Sequence, residues 1–188
     1  KKIDSTGATK VTVKNINGKI SIRPDNSKQA EVVSAVTVKA ATKKAAKQYA
    51  GMIKIIAECK NKEIIVDAEY PEQLGRNYSA EVDFDITVPE GLDVSVENVN
   101  GETVLYPGAK SLMEKSTNGP IAVSGINGGD VSAETVNGQI KAQGKITSSR
   151  LKTTNGNIEL EIEENAAGRH YIETVNGAID VVLTPSSS

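Results

Sequence analysis

Apolar and polar residues alternate along most of this chain, in two different rhythms. Before residue 91 the strand signals are unevenly spaced. Val11 and Val13, then Ile20 and Ile22, alternate on either side of Asn15-Ile16-Asn17-Gly18, a strong turn signal. Residues 31–39 carry Val32, Val36 and Val38 and predict a strand. Thr42 is placed to cap a short helix in which Ala46, Tyr49, Ala50 and Ile53 follow the i, i+3, i+4, i+7 spacing, with Gly51 as its stop. Strands follow over 52–60 and 63–70, hinged at Asn61-Lys62. Over 79–88 one face carries Val82, Phe84, Ile86 and Val88 and the other Asp83, Asp85 and Thr87, until Pro89-Glu90-Gly91 ends the run.

After residue 91 the pattern repeats. Asn-Gly recurs at Asn100-Gly101, Asn118-Gly119, Asn137-Gly138, Asn155-Gly156 and Asn176-Gly177, at spacings of 18, 19, 18 and 21 residues. Three places after each Asn stand Thr103, Ile121, Ile140, Ile158 and Ile179, and five places after stand Leu105, Val123, Ala142, Leu160 and Val181. Sites two apart share one face of a strand, so these columns predict a buried side. Three places before each Asn stand Glu97, Lys115, Glu134, Lys152 and Glu173, whose sign changes at every step. Neighbouring strands lie ~4.8 Å apart, and like charges placed directly opposite destabilise a sheet. The alternation therefore favours repeats stacked in register.

The prediction is an all-β protein: a short β-solenoid of about five Asn-Gly coils, preceded by a strand-rich segment with one short helix. Residues 1–91 would cap the stack, 92–184 would form the coils, and 185–188 would be a tail. A second break per coil is expected near Gly108, Gly125, Gly144 and Gly168, and Asn127-Gly128, out of register, reads as a loop. An antiparallel meander with a hairpin at every Asn-Gly satisfies the same alternation.

Composition narrows the function. Twenty-four acidic against 22 basic side chains give a net charge of −2, so no basic field points to nucleic acid. One Cys excludes an internal disulfide framework, and one His leaves a catalytic triad possible only through His170. Cys59 reads as a buried free thiol. Five Tyr, one Phe and no Trp are few for a stacking surface. No apolar stretch approaches the ~18 residues of a transmembrane helix. The chain opens on Lys1-Lys2-Ile3-Asp4 without an initiator Met, so a removed upstream segment is expected.

The motifs Glu97-Asn98-Val99-Asn100-Gly101, Glu134-Thr135-Val136-Asn137-Gly138-Gln139-Ile140, Thr153-Thr154-Asn155-Gly156-Asn157-Ile158 and Glu173-Thr174-Val175-Asn176-Gly177-Ala178-Ile179 resemble the bacterial putative-adhesin family of β-strand-repeat proteins (domain of unknown function 4097). The resemblance extends to Asn15-Ile16-Asn17-Gly18-Lys19-Ile20 and to 84–91, nearly the whole chain. It implies an exported or envelope-associated protein with a β-helix-like fold, and it brings no catalytic residues.

Candidate chemistry is sparse. His170 has no sequence neighbour that would make it a catalytic base and reads as a loop residue. Ser124-Gly125-Ile126-Asn127-Gly128-Gly129 is glycine-rich but opens no helix, so it has little claim on phosphate. Asp83 with Asp85, Asp67 with Glu69, and Glu161, Glu163 and Glu164 form acidic faces of the kind that hold calcium in polysaccharide lyases, with Arg150, Lys152 or Arg169 as a basic partner, but they read chiefly as solvated polar faces alternating with the core. Asn77-Tyr78-Ser79 matches a glycosylation sequon. The Thr/Ser row Ser116, Thr135, Thr153 and Thr174 reads chiefly as sheet filler. The expectation is a non-catalytic, exported, adhesin-like binding or scaffold module without cofactor or metal. Its partner would be a surface polysaccharide or an envelope protein. A polysaccharide lyase or hydrolase on a β-helix is the alternative.

Overall fold

The computed structural model describes residues 1–71, 78–163 and 168–185. Asn77 of the sequon, Glu164 and the last three tail residues lie outside them. The chain is all-β apart from one helix. Its first part runs β1 (Lys2–Asp4), β2 (Lys10–Asn17), β3 (Ile20–Asp25), β4 (Gln29–Lys39), α1 (Lys43–Ala50), β5 (Lys54–Lys60), β6 (Glu63–Glu69) and β7 (Ser79–Pro89). The second part runs β8 (Asp93–Asn100), β9 (Thr103–Leu105), β10 (Ser111–Asn118), β11 (Ile121–Asn137), β12 (Ile140–Asn155), β13 (Ile158–Glu163), β14 (His170–Asn176) and β15 (Ile179–Thr184).

All strands join one 15-stranded sheet, and the pairing sorts them into two parallel ladders. Strands entering an Asn-Gly corner stack as β2, β8, β10, the second half of β11, the second half of β12, and β14, with β6 laid parallel on β2 at the end of the ladder. Strands leaving a corner stack as β3, β9, the first half of β11, the first part of β12, β13 and β15, with β7 laid parallel on β3 at the end of the ladder. Among the described residues, the segments immediately before and after an Asn-Gly never pair with each other as a hairpin: where flanking strands do pair, as β10 with β11, β11 with β12 and β12 with β13, they run parallel and one level apart. The hairpin meander is therefore not the arrangement. Asn17-Gly18 is a corner of the same kind, since Asn17 lies opposite Asn100 in register.

The ladders enclose one apolar core. Ile20, Ile121, Ile140 and Ile158 stack on one side and Val13, Val96, Ala133 and Leu151 on the other, all at most 1% exposed. This is the burial that the period-2 alternation demands. The strands break around Gly108 as expected, between β9 and β10, but not at Gly125 or Gly144. In β11 and β12 the chain turns at Gly125 and Gly144, both at positive φ, without leaving the ladder. Asn127-Gly128 is likewise no loop: it sits inside β11 at a register shift, the extra residues of a β-bulge that bends the strand.

At the β6 and β7 end, antiparallel strands finish the stack: β5 on β6, β4 on β7, and β1 on β4. β1 also touches β5, so the sheet nearly closes like a barrel. Asn61 and Lys62 turn β5 into β6 at φ 51° and 64°, the left-handed pair of a tight hairpin. Helix α1 bridges β4 to β5. Thr42 Oγ1 accepts from the Ala45 N–H at 3.2 Å, and Tyr49 is the helix residue that is buried. Cys59 is half-buried in β5. No helix among the described residues is long and apolar enough to cross a membrane.

Candidate functional site

The Asn-Gly corners form one continuous edge. Asn100 Nδ2 donates to Asn17 Oδ1 at 2.7 Å, Asn118 to Asn100 at 2.8 Å, Asn137 to Asn118 at 2.7 Å, Asn155 to Asn137 at 2.7 Å, and Asn176 to Asn155 at 2.8 Å. All five predicted Asn positions lie on this column, with Asn17 as a sixth member. The amide direction is constant, so each Asn donates one N–H to the level before and accepts one from the level after. A carboxamide has two N–H donors and two acceptor lone pairs. Each interior rung therefore keeps one of each for another partner.

Gly is required beside the Asn because the levels touch there. A Cβ built on Gly101, Gly119, Gly138, Gly156 or Gly177 would lie 2.0–2.1 Å from the carbonyl oxygen of the preceding corner glycine, far inside van der Waals contact. The corner N–H groups are also used: Gly101 donates to Asn118 O, Gly119 to Asn137 O, Gly138 to Asn155 O and Gly156 to Asn176 O. The Thr/Ser row lies just inside the edge. Thr153 and Thr174 hydroxyls donate to the carbonyls of Gly138 and Gly156 at 3.0 and 2.9 Å, and Asn98 Nδ2 reaches Gly18 O at 3.1 Å. These bonds satisfy carbonyls that the bend turns away from the ladder.

The charge column is in register over Lys14, Glu97, Lys115, Glu134, Lys152 and Glu173, with Asp67 opposite Lys14. Ion pairs close at Lys14–Glu97, 3.1 Å, and Lys152–Glu173, 3.2 Å. Glu134 turns instead to Arg150 at 3.2 Å, and Lys115 makes no ion pair among the described residues. Register opposition thus does not guarantee contact, because long side chains reach diagonally as easily as straight across. Tyr171, followed by Lys152, holds the Glu173 carboxyl below its ordinary range through hydrogen bonds, whereas burial raises that of Asp67.

Two troughs flank the first corners. One, of about 450 Å³, is lined by residues just before the Asn, including Lys14, Ile16, Asp67, Glu97, Val99 and Lys115. The other, of about 640 Å³, is lined by the corners themselves and the residues just after them, including Asn17, Lys19, Asn100 and Glu102, together with Tyr70 and Tyr78. The sparse aromatics are thus partly gathered: Tyr78 stacks on Tyr49 at 5.2 Å, and the Tyr70 hydroxyl donates to Asn15 Oδ1 at 3.1 Å. Sequence spacing carried no signal for this grouping. Tyr70 lies 53 positions beyond Asn17 in the chain, yet its hydroxyl sits 3.1 Å from the Asn17 carbonyl oxygen.

Other candidates are dispersed. Asp85 pairs with Arg23, Asp83 accepts from the Lys19 N–H at 2.7 Å, and Glu69 pairs with Lys54 at 3.0 Å. Among the described residues no three His, Cys, Asp or Glu side chains converge as a metal site. His170 begins β14 rather than lying in a loop, and its Nδ1 is 3.0 Å from Ser149 Oγ. Ser149 is buried, and His170 Nε2 is buried with no hydrogen-bond partner among the described residues.

Glu114 is the residue that sequence reading passed over. It occupies an inward column between Val96 and Ala133, fully buried, and neither carboxyl oxygen has a hydrogen-bond partner among the described residues. Burial pushes its carboxyl up to about 8, opposed by the Thr103 hydroxyl, which lies nearby without hydrogen-bond geometry. At neutral pH Glu114 is therefore a neutral acid in the core. A lone Glu in an otherwise apolar column was the available signal.

No family model matches the chain, and no curated protein matches its sequence. Among solved structures the chain is similar to a putative cell adhesion protein from Clostridium sporogenes, at 12% identity over 96% of this chain and 94% of that one, with a TM-score of 0.43. It is also similar to a putative adhesin from Bacteroides fragilis, at 12% identity over 98% and 95% of the two chains, with a TM-score of 0.39.

Proposed function

We propose that this chain is a short β-solenoid that serves as a non-catalytic, adhesin-like binding module outside the cytoplasm, holding a surface polysaccharide along its Asn-Gly edge. Residues 1–91 close one end and contribute the first corner, and 92–184 supply the remaining levels. The observation that carries the reading is the unbroken amide column. It repeats one donor and one acceptor at every strand step, beside a trough that offers Tyr70, Tyr78 and charged side chains. A polymer with repeating hydroxyls can be held by many such weak contacts, each adding to the next through effective concentration.

A polysaccharide screen that records binding and product formation together, with calcium present and then chelated, tests this. The expected outcome is binding without product, insensitive to chelation, and at least several-fold weaker in Asn118→Ala/Asn137→Ala. Calcium-dependent product, or binding indifferent to that double substitution, would overturn it.

A further inference from the structure

The last described level of the ladders is built like the others, and no described residue covers it. Ile158, Leu160 and Ile162 are 0%, 1% and 6% exposed, while their register partners Ile179, Val181 and Leu183 are 43%, 50% and 59% exposed. The outward positions change as well. Val182 stands opposite Glu161, and Val175 follows Thr174 where Thr154 follows Thr153 in the level before. Both are exposed, at 53% and 66%. Among the described residues β14 pairs only with β12 and β15 only with β13, so each presents one edge of backbone N–H and C=O groups without a described partner. Edge strands in soluble proteins are normally protected by charge, and the run Val181-Val182-Leu183 carries none.

We propose that this face joins two copies of the chain tail to tail, about a two-fold axis across the ladders. The occupant follows from the shape of the end. It presents two strand edges on opposite sides of an apolar core, at a fixed separation. A single extended peptide covers one edge and leaves the core and the other edge wet. A surface that covers all three must itself carry two edges at the same separation. The opposite end of this chain does not, because β4, β5, β1 and α1 close it. The same end of a second copy does.

A two-fold axis sets β14 antiparallel to the partner's β15, and the converse, so both free edges pair at once. In the register that places Glu173 opposite Val182 of the partner subunit, Val175 faces the partner's Asp180. Inward, Ile172 then meets the partner's Leu183, and Thr174 meets the partner's Val181. No like charges oppose each other there, whereas a slip that brought Glu173 against the partner's Asp180 is penalised. The side chains and edges involved offer on the order of 600–800 Å² per copy, close to a standard specific interface.

Sedimentation equilibrium of the 188-residue chain from about 1 to 200 μM reads the outcome. The expected result is a concentration-dependent dimer whose Kd rises at least 100-fold in Val181→Lys/Leu183→Lys. Val33→Lys, at an equally exposed valine on β4 near the closed end, should leave it unchanged. Should the double variant fail to fold by circular dichroism, Val182→Glu restores at an outward position the residue type that the preceding level carries, and should weaken the dimer at least tenfold. A wild type monomeric throughout the range would overturn the proposal and hand the face to a different chain. So would a dimer untouched by the tail substitutions, one lost equally in Val33→Lys, or open-ended higher association.

Discussion

At the end closed by β4 and β5, the core columns finish under strands that run against the stack: Ile64 and Val66 are wholly buried, and β5 and β4 take the outer edges of β6 and β7. At the other end the same kinds of column finish at Ile179 and Val181, about half exposed, beside edges that pair with nothing else described. A parallel stack is self-templating, since every level offers the next its hydrogen bonds, its amide acceptor and its core. Stopping it requires a break of direction. The closed end has that break in its antiparallel strands; the open end shows none among the described residues, and its last described level carries the surplus of exposed apolar residues.

Between the two ends lies the largest expected effect. Glu114 binds its proton more tightly folded than unfolded, since burial raises its carboxyl from 4.5 to about 8. Its contribution to stability is therefore full below about pH 4.5 and is lost as pH rises through about 8. Urea unfolding at pH 5 and pH 9 should show the wild type losing about 2–5 kcal/mol more than Glu114→Val across that window. Parallel pH dependences in the two proteins would show that the carboxyl is not buried in the core.

The ends themselves give the next contrast. Ile64→Ala should cost about 2–4 kcal/mol in urea unfolding, through lost burial and a cavity. Val181→Ala, measured where the chain is dilute, should cost less than about 0.5 kcal/mol. Equal losses would mean that the tail is covered within a single chain, and the comparison would fail.

Much of this was legible in the sequence, for physical reasons. Ile121, Ile140 and Ile158 announce the core because strand alternation has period 2, and the Asn-Gly pairs announce corners because bends favour glycine. Asn17 was harder to align with the other corners, since 83 residues separate it from Asn100 and its stacking is a long-range pairing. The closure by β4 and β5 was legible as strands and helix but not as antiparallel partners, because local alternation carries no information about strand direction. The bends at Gly125 and Gly144 looked like breaks, yet positive-φ glycines let the chain turn while staying paired. The charge column held its register, but side-chain reach decided which pairs closed, and register alone does not fix that.

The claim that the Asn-Gly edge binds a repeating polymer is tested most directly by affinity against ligand length. From Asn17 to Asn176 the column spans five strand steps, about 24 Å at ~4.8 Å each. Calorimetry with oligosaccharides of increasing length, drawn from a polysaccharide that binds, should show affinity rising with each added sugar until roughly that span is filled, then levelling off. An affinity already complete at two or three sugars would place binding in a single pocket and contradict the account.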